Sequence, residues 1–152
     1  MHRFLLIILL VSLLSACGAR SAAPSEQPLA TPLASQQWTI QFTYTGGIAG
    51  FNRKLEINSS GQGTATDVRT GKTAKVQLTS AELSQLQKLA VTSVSQPATQ
   101  PSTCADCFVY TIQIDNGSGT PFVAQMDDVN LESSGLSSLV QFMRNVTDNS
   151  LK

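Results

Sequence analysis

The sequence predicts an α+β domain, an antiparallel sheet of β-hairpins with two helices packed on one face. Three observations carry that expectation. Apolar and polar residues alternate in the runs 38–44 and 108–114, the period of a half-buried strand. Glycine- and asparagine-rich turns such as 46–50 and 115–119 separate consecutive runs, which favours hairpins over crossovers. Two segments, one after Thr79 and one near Ser134, switch to helical spacing and need a sheet to cover their apolar stripes. Strands, a helix, a hairpin and a last helix, in that order, keep the helices on one face.

In the first strand Trp38, Ile40, Phe42 and Tyr44 face one way, and Thr39, Gln41 and Thr43 the other. Gly46-Gly47-Ile48-Ala49-Gly50 permits positive φ and a close turn. The return strand then places Phe51, Leu55 and Ile57 on its apolar side. Asn58-Ser59-Ser60-Gly61 is the next turn, and Thr64–Arg69 and Thr73–Leu78 are two short strands about Thr70-Gly71-Lys72. Thr79-Ser80-Ala81-Glu82 has the capping-box pattern, in which the threonine accepts from the third helical N–H and the glutamate reaches back. Leu83, Leu86, Leu89 and Ala90 form one face of that helix, which ends near Val91. Thr92–Thr103, with Pro97 and Pro101, is a loop long enough to be functional or mobile. Phe108, Tyr110, Ile112 and Ile114 form a strand, Asp115-Asn116-Gly117-Ser118-Gly119 turns it, and Phe122, Ala124 and Met126 return. Asp127-Asp128 closes the return strand, and Leu136, Leu139, Val140, Met143 and Val146 mark a C-terminal amphipathic helix opening at Ser134 or a close neighbour.

Residues 1–16 have the three-part layout of a secretory signal: a positive start, an apolar run over 4–14 and small residues before Cys17. The run falls short of the about 20 apolar residues a spanning helix needs. Leu14-Ser15-Ala16-Cys17 resembles the lipobox of bacterial lipoproteins. That resemblance implies cleavage before Cys17, a thioether-linked diacylglyceryl group on its sulfur and acylation of the new amino group. Several acyl chains anchor stably, at about 0.8 kcal/mol per buried CH₂, where one would be marginal. The expected location is the cell membrane or outer membrane, facing outside the cytoplasm, with Gly18 favouring outer-membrane sorting in a two-membrane bacterium. Residues 17–37, with Pro24, Pro28 and Pro32 and no apolar period, read as a disordered tether, and 38–148 as the folded domain.

Composition narrows the chemistry. Ten basic and ten acidic residues balance, with no run of like charge, so nucleic acid is not an expected partner. The one histidine, His2, lies in the signal, which removes imidazole base or ligand chemistry from the mature part. Without it a Ser-His-Asp triad is impossible, and no Gly-x-Ser-x-Gly elbow, Ser-x-x-Lys pair or phosphate-binding glycine loop is present. The domain reads as non-enzymatic, with no cofactor and no metal. Cys104-Ala105-Asp106-Cys107 invites three readings. A zinc site lacks its remaining ligands. A thioredoxin-like pair belongs at a helix N-terminus, whereas this one opens a strand. A small structural disulfide outside the cytoplasm, pinning the loop to the strand, suits the context, with modest stabilisation because its closed loop is short. Asp127-Asp128 alone is too few oxygens for a calcium site and reads as a strand end in water.

One family resemblance covers about residues 38–147. Tyr44-Thr45-Gly46-Gly47-Ile48-Ala49-Gly50-Phe51-Asn52-Arg53 is similar to the Gly-Gly-Phe-Ala-Gly-x-x-Arg hairpin of emfourin-like proteins. Ala105-Asp106-Cys107-Phe108-Val109-Tyr110-Thr111-Ile112 resembles their Pro-Asp-x-Phe-x-Tyr strand start, and the capped helix, Asp127-Asp128 and final helix follow in the same order. Ile48 stands where phenylalanine is common, and the Cys pair and tether are additions. Emfourin inhibits protealysin, a thermolysin-like zinc metalloprotease. The resemblance implies a tethered inhibitor of an extracytoplasmic metalloprotease, whose hairpin or the loop before Cys104 enters the protease cleft, with Gly46, Gly47, Ile48, Ala49, Gly50 and Phe51 as candidate partner contacts. The other reading is a non-enzymatic structural or ligand-binding lipoprotein of the cell envelope.

Overall fold

The computed structural model describes residues 36–94, 104–117 and 119–152. Residues 1–35, where the sequence places the expected signal, the lipobox-like Cys17 and nearly all of the expected tether, lie outside them, as do 95–103 of the long loop and Ser118. Six strands, β1 (Thr39–Gly46), β2 (Phe51–Asn58), β3 (Gln62–Asp67), β4 (Lys72–Gln77), β5 (Phe108–Asp115) and β6 (Phe122–Asp127), form one sheet in the order β4-β3-β2-β1-β5-β6. Every neighbouring pair is antiparallel. Two helices, α1 (Ser80–Ser93) between β4 and β5 and α2 (Ser137–Ser150) after β6, complete an α+β fold with the helices packed on the sheet.

β1 lies inside the sheet between β2 and β5, and its period-two face is apolar. Ile40, Phe42 and Tyr44 are essentially solvent-free, and each such side chain contributes about 1.5–3 kcal/mol relative to exposure. β2 and β5 flank it in matching register, with Phe42 opposite Leu55 on one side and Ile112 on the other. β3 and β4 are shorter and more polar and lie toward one edge, where Ala65 and Val76 still reach the core. Between β4 and β5 the chain passes from that edge back to β1, and α1 is the element on that path. Leu86 and Ala90 of α1 and Leu139, Val140 and Met143 of α2 close the core from above.

The capping box at Thr79 is formed on both sides: Glu82 N–H donates to Thr79 Oγ1 and Thr79 N–H donates to Glu82 Oε2 at 2.8 Å. That backbone N–H, with the Thr79 hydroxyl, holds the Glu82 carboxyl below the usual range. The last helix opens three residues later than its serine suggests. Ser134 Oγ accepts from Leu136 N–H at 3.0 Å and donates to Leu131 O, so the hydroxyl closes a turn before the helix instead of capping it. The N-cap position belongs to Leu136, which has no side-chain cap bond and is buried in the core. α2 runs to Ser150, and Leu151 beyond it is buried. Among the described residues no helix is long and apolar enough to cross a membrane.

Candidate functional site

The hairpin between β1 and β2 is held by hydrogen bonds from two neighbouring segments. The ladder runs without slip to Gly46 opposite Phe51, leaving residues 47–50 as the tip, and Gly50 N–H closes it on Gly47 O at 2.9 Å. Gly46 and Gly47 take φ values of +101° and +67°, where L side chains are strained. Space forbids a side chain as well. A Cβ on Gly46 would lie 2.4 Å from Cys107 O, and one on Gly47 would lie 2.7 Å from Cζ of Phe108. Glycine therefore lets the start of β5 close against the turn, and Gly47 N–H donates to Cys107 O at 3.3 Å.

The other side of the tip is held from the turn between β3 and β4, where Arg69 Nη1 donates to Ala49 O at 2.7 Å. Between these two braces Ile48 is 97% exposed, the most exposed large apolar side chain among the described residues. Phe51 is partly buried and packs on the core edge. Cys104 and Cys107, at the approach to β5, are joined as a disulfide with Cα atoms 5.5 Å apart. Cys104 is exposed and Cys107 half-buried.

Beneath the tip four rings from three strands pack together. Phe108 lies edge-on to Tyr44 at 5.9 Å and faces Phe51 at 5.8 Å and Tyr110 at 6.2 Å, all centroid separations suited to offset aromatic contact. Two guanidinium groups cover the cluster. Arg53 sits 4.8 Å from the Phe51 centroid, and Arg144 sits 4.5 Å from that of Phe108. Asp148 of α2 ties these together. It accepts from the Tyr44 hydroxyl and from Arg53 Nη1 at 2.7 Å, and Arg144 Nε lies 3.7 Å from its other oxygen. Arg53 Nε also reaches Asp67 Oδ2 at 3.2 Å. The Thr70 N–H, with Arg53 adding to it, holds the Asp67 carboxyl below its ordinary range. Burial, and then the hydrogen bond to Asp148, push the Tyr44 hydroxyl up to about 12. Burial and Asp128 do the same for Tyr110, also about 12.

Of the pair Asp127-Asp128, which closes β6, Asp128 is exposed as expected at a strand end in water, whereas Asp127 is not. Asp127 is 1% exposed, and its Oδ1 accepts from Val129 N–H at 2.9 Å and Asn130 N–H at 3.2 Å. Asp128 accepts from Phe108 N–H and from the Tyr110 hydroxyl, both at 2.8 Å. The reason is local: the end of β6 and the start of β5 leave backbone N–H groups without ladder partners, and carboxylates satisfy them. Among the described residues no three His, Cys, Asp or Glu are grouped so as to hold a metal ion.

The fold thus brings together two stretches far apart in sequence, Gly46–Phe51 and Cys104–Cys107, and leaves Cys17 outside the described residues. In the sequence Arg53 stands only as the last residue of the hairpin motif and Arg69 only as a strand end, and Arg144 and Asp148 are not singled out. Strand parity signals Arg53, two residues from Phe51 and two from Leu55 on the core face. The pair Arg144 and Asp148 carries the i,i+4 signal of a helix face. Nothing local signals Arg69, because its partner is a backbone carbonyl twenty residues away. An open groove of about 730 Å³ among α1, α2 and β4 has a mixed lining, with amides such as Gln85 and Gln141 beside apolar residues such as Leu89 and Phe142. No family model matches the chain, and no curated protein matches it.

Proposed function

We propose that this chain is a non-enzymatic lipoprotein, held by acyl chains on Cys17, whose hairpin Gly46–Phe51 occludes the cleft of an extracytoplasmic thermolysin-like metalloprotease. The observation that carries the reading is Ile48, 97% exposed on a tip whose backbone is hydrogen-bonded on both sides. Lone exposed apolar residues are ordinary on protein surfaces. One presented on a braced turn is different, because little conformational entropy remains to be lost when it enters an apolar subsite. The same braces oppose cleavage, since Gly47 N–H and Ala49 O are engaged within the domain and a protease needs the backbone free and extended. The order of motifs shared with emfourin-like proteins supports the choice of target.

The second reading, an envelope protein that carries an apolar ligand, calls for an apolar cavity between sheet and helices. That space is filled by Leu86, Leu139 and Met143, each at most 1% exposed, and the groove outside it is open, with polar and apolar residues mixed along its walls. The test is a titration of residues 36–152, which contain every described element, against several thermolysin-like proteases with a quenched peptide substrate. Stoichiometric loss of activity with the inhibitor left intact is expected. No inhibition at micromolar concentration in any of them rejects the proposal.

A further inference from the structure

The bridge between Cys104 and Cys107 lies beside the hairpin, and the contact runs through the backbone. Cys107 O accepts from Gly47 N–H at 3.3 Å and fills the place where a side chain on Gly46 would stand. The next residue, Phe108, ends the ladder opposite Gly46, and its ring lies over Gly47. Cys107 is therefore at once one end of a covalent ring and the acceptor that fixes the tip. The bridge closes a ring over a sequence separation of three, next to no second covalent constraint, so it orders its own short segment and little else. Its Cys104 end is exposed, which gives a thiolate a route to the sulfur.

We infer that Cys104–Cys107 is a redox-responsive brace of the hairpin, reduced by a dithiol donor of the thioredoxin class and loosening the tip when open. This rests on the hairpin being the contact surface. In the step, a donor thiolate attacks the exposed Cys104 Sγ, a mixed disulfide forms, and the Cys107 thiolate leaves and takes a proton from water. The donor's second thiolate then attacks the donor's own sulfur in the mixed disulfide and releases Cys104, which is protonated in turn. Two electrons have passed to the domain, two thiols have formed, and the donor leaves as a disulfide. Freed from the ring, residues 104–107 regain backbone freedom, and the carbonyl of Cys107 no longer holds one position against Gly47 N–H. The ladder of β1 with β5 beyond Phe108 is unaffected, because its bonds and the Asp128 contacts to Phe108 and Tyr110 do not pass through the sulfurs.

The experiment is amide hydrogen exchange by NMR on the full chain carrying Cys17→Ser, so that the bridge holds the only other cysteines. It is read oxidised, after reduction by dithiothreitol or thioredoxin, and as the double variant Cys104→Ser, Cys107→Ser. Gly47 exchange is expected to accelerate at least tenfold in the reduced protein and in the double variant, while Phe42 and Ile112 in the core ladders exchange as before. Unchanged Gly47 exchange overturns the inference. Equal acceleration at Phe42 and Ile112 also overturns it, because the bridge would then be a staple of the whole domain. The readout needs no partner. A tip that loosens in a protein that inhibits no protease leaves the brace standing and removes the contact surface alone.

Discussion

Gly63 offers a test in which local propensity and tertiary structure predict opposite signs. A glycine inside a strand costs backbone entropy, so local reasoning expects Gly63→Ala to stabilise the domain by about 0.5–1 kcal/mol. The structure expects the reverse. Gly63 pairs with Ile57 of β2 and Val76 of β4, and a Cβ there would stand 2.0 Å from Glu56 O and 2.9 Å from Ile57 Cγ1. The nearer atom is backbone, in a strand laddered on both sides, so relief requires β2 or β3 to shift. Overpacking of that kind costs about 1–3 kcal/mol. For a domain near this size that lowers Tm by roughly 4–12 °C. The assay is urea unfolding of residues 36–152 followed by fluorescence of Trp38, the single tryptophan and 3% exposed. The midpoint should fall by about 1 M with an unchanged slope. Gly71→Ala is the control: its φ is +72° and nothing lies within 4 Å of the added carbon, so it carries the left-handed backbone cost alone, about 1 kcal/mol. A Gly63→Ala protein as stable as the parent, or more stable, refutes the packing argument.

Four further outcomes are expected. The chain has two tyrosines, Tyr44 and Tyr110, both with hydroxyls pushed up to about 12 from 10.0, so absorbance at the tyrosinate band should stay flat through pH 10 and rise only near 12 or on unfolding. Because the folded state holds these protons more tightly, their contribution to stability is complete below pH 10 and is lost as pH climbs through 12. Asp148→Ala removes the acceptor shared by Tyr44 and Arg53; with the carboxylate partly in water, a loss of about 1–2 kcal/mol in urea unfolding is expected. Thr79→Ala breaks the capping box and should cost about 1 kcal/mol, with the stability that Glu82 adds above its unfolded pKa, and loses as pH falls, reduced in the variant. Ile48→Asp should change stability by less than about 0.5 kcal/mol, since the side chain touches little, while abolishing protease inhibition in the titration above.

Where residues meet neighbours close in sequence, the pattern was enough. Period-two runs located β1, β2, β5 and β6, glycine turns located the hairpins, and Thr79 with Glu82 located the start of α1. Element ends moved by a residue or three. Ser134 is the clearest case, since its hydroxyl serves a turn and the helix begins without a side-chain cap. Asp127 misled for the same reason, since a carboxylate at a strand end looks solvated until the N–H groups that face it are known, while its neighbour Asp128 is exposed as its place suggested.

The chain's own pattern determined the class of fold, the hairpins and the apolar faces, because each depends on residue type and on spacing within one element. The tertiary structure decided that β5 lies beside β1, which brings Cys107 onto Gly47 and places Arg53, Arg144 and Asp148 beneath one turn. Those contacts join residues up to about a hundred positions apart. Such pairings are selected by burial of a whole sheet face and by the need to neutralise charge at its end.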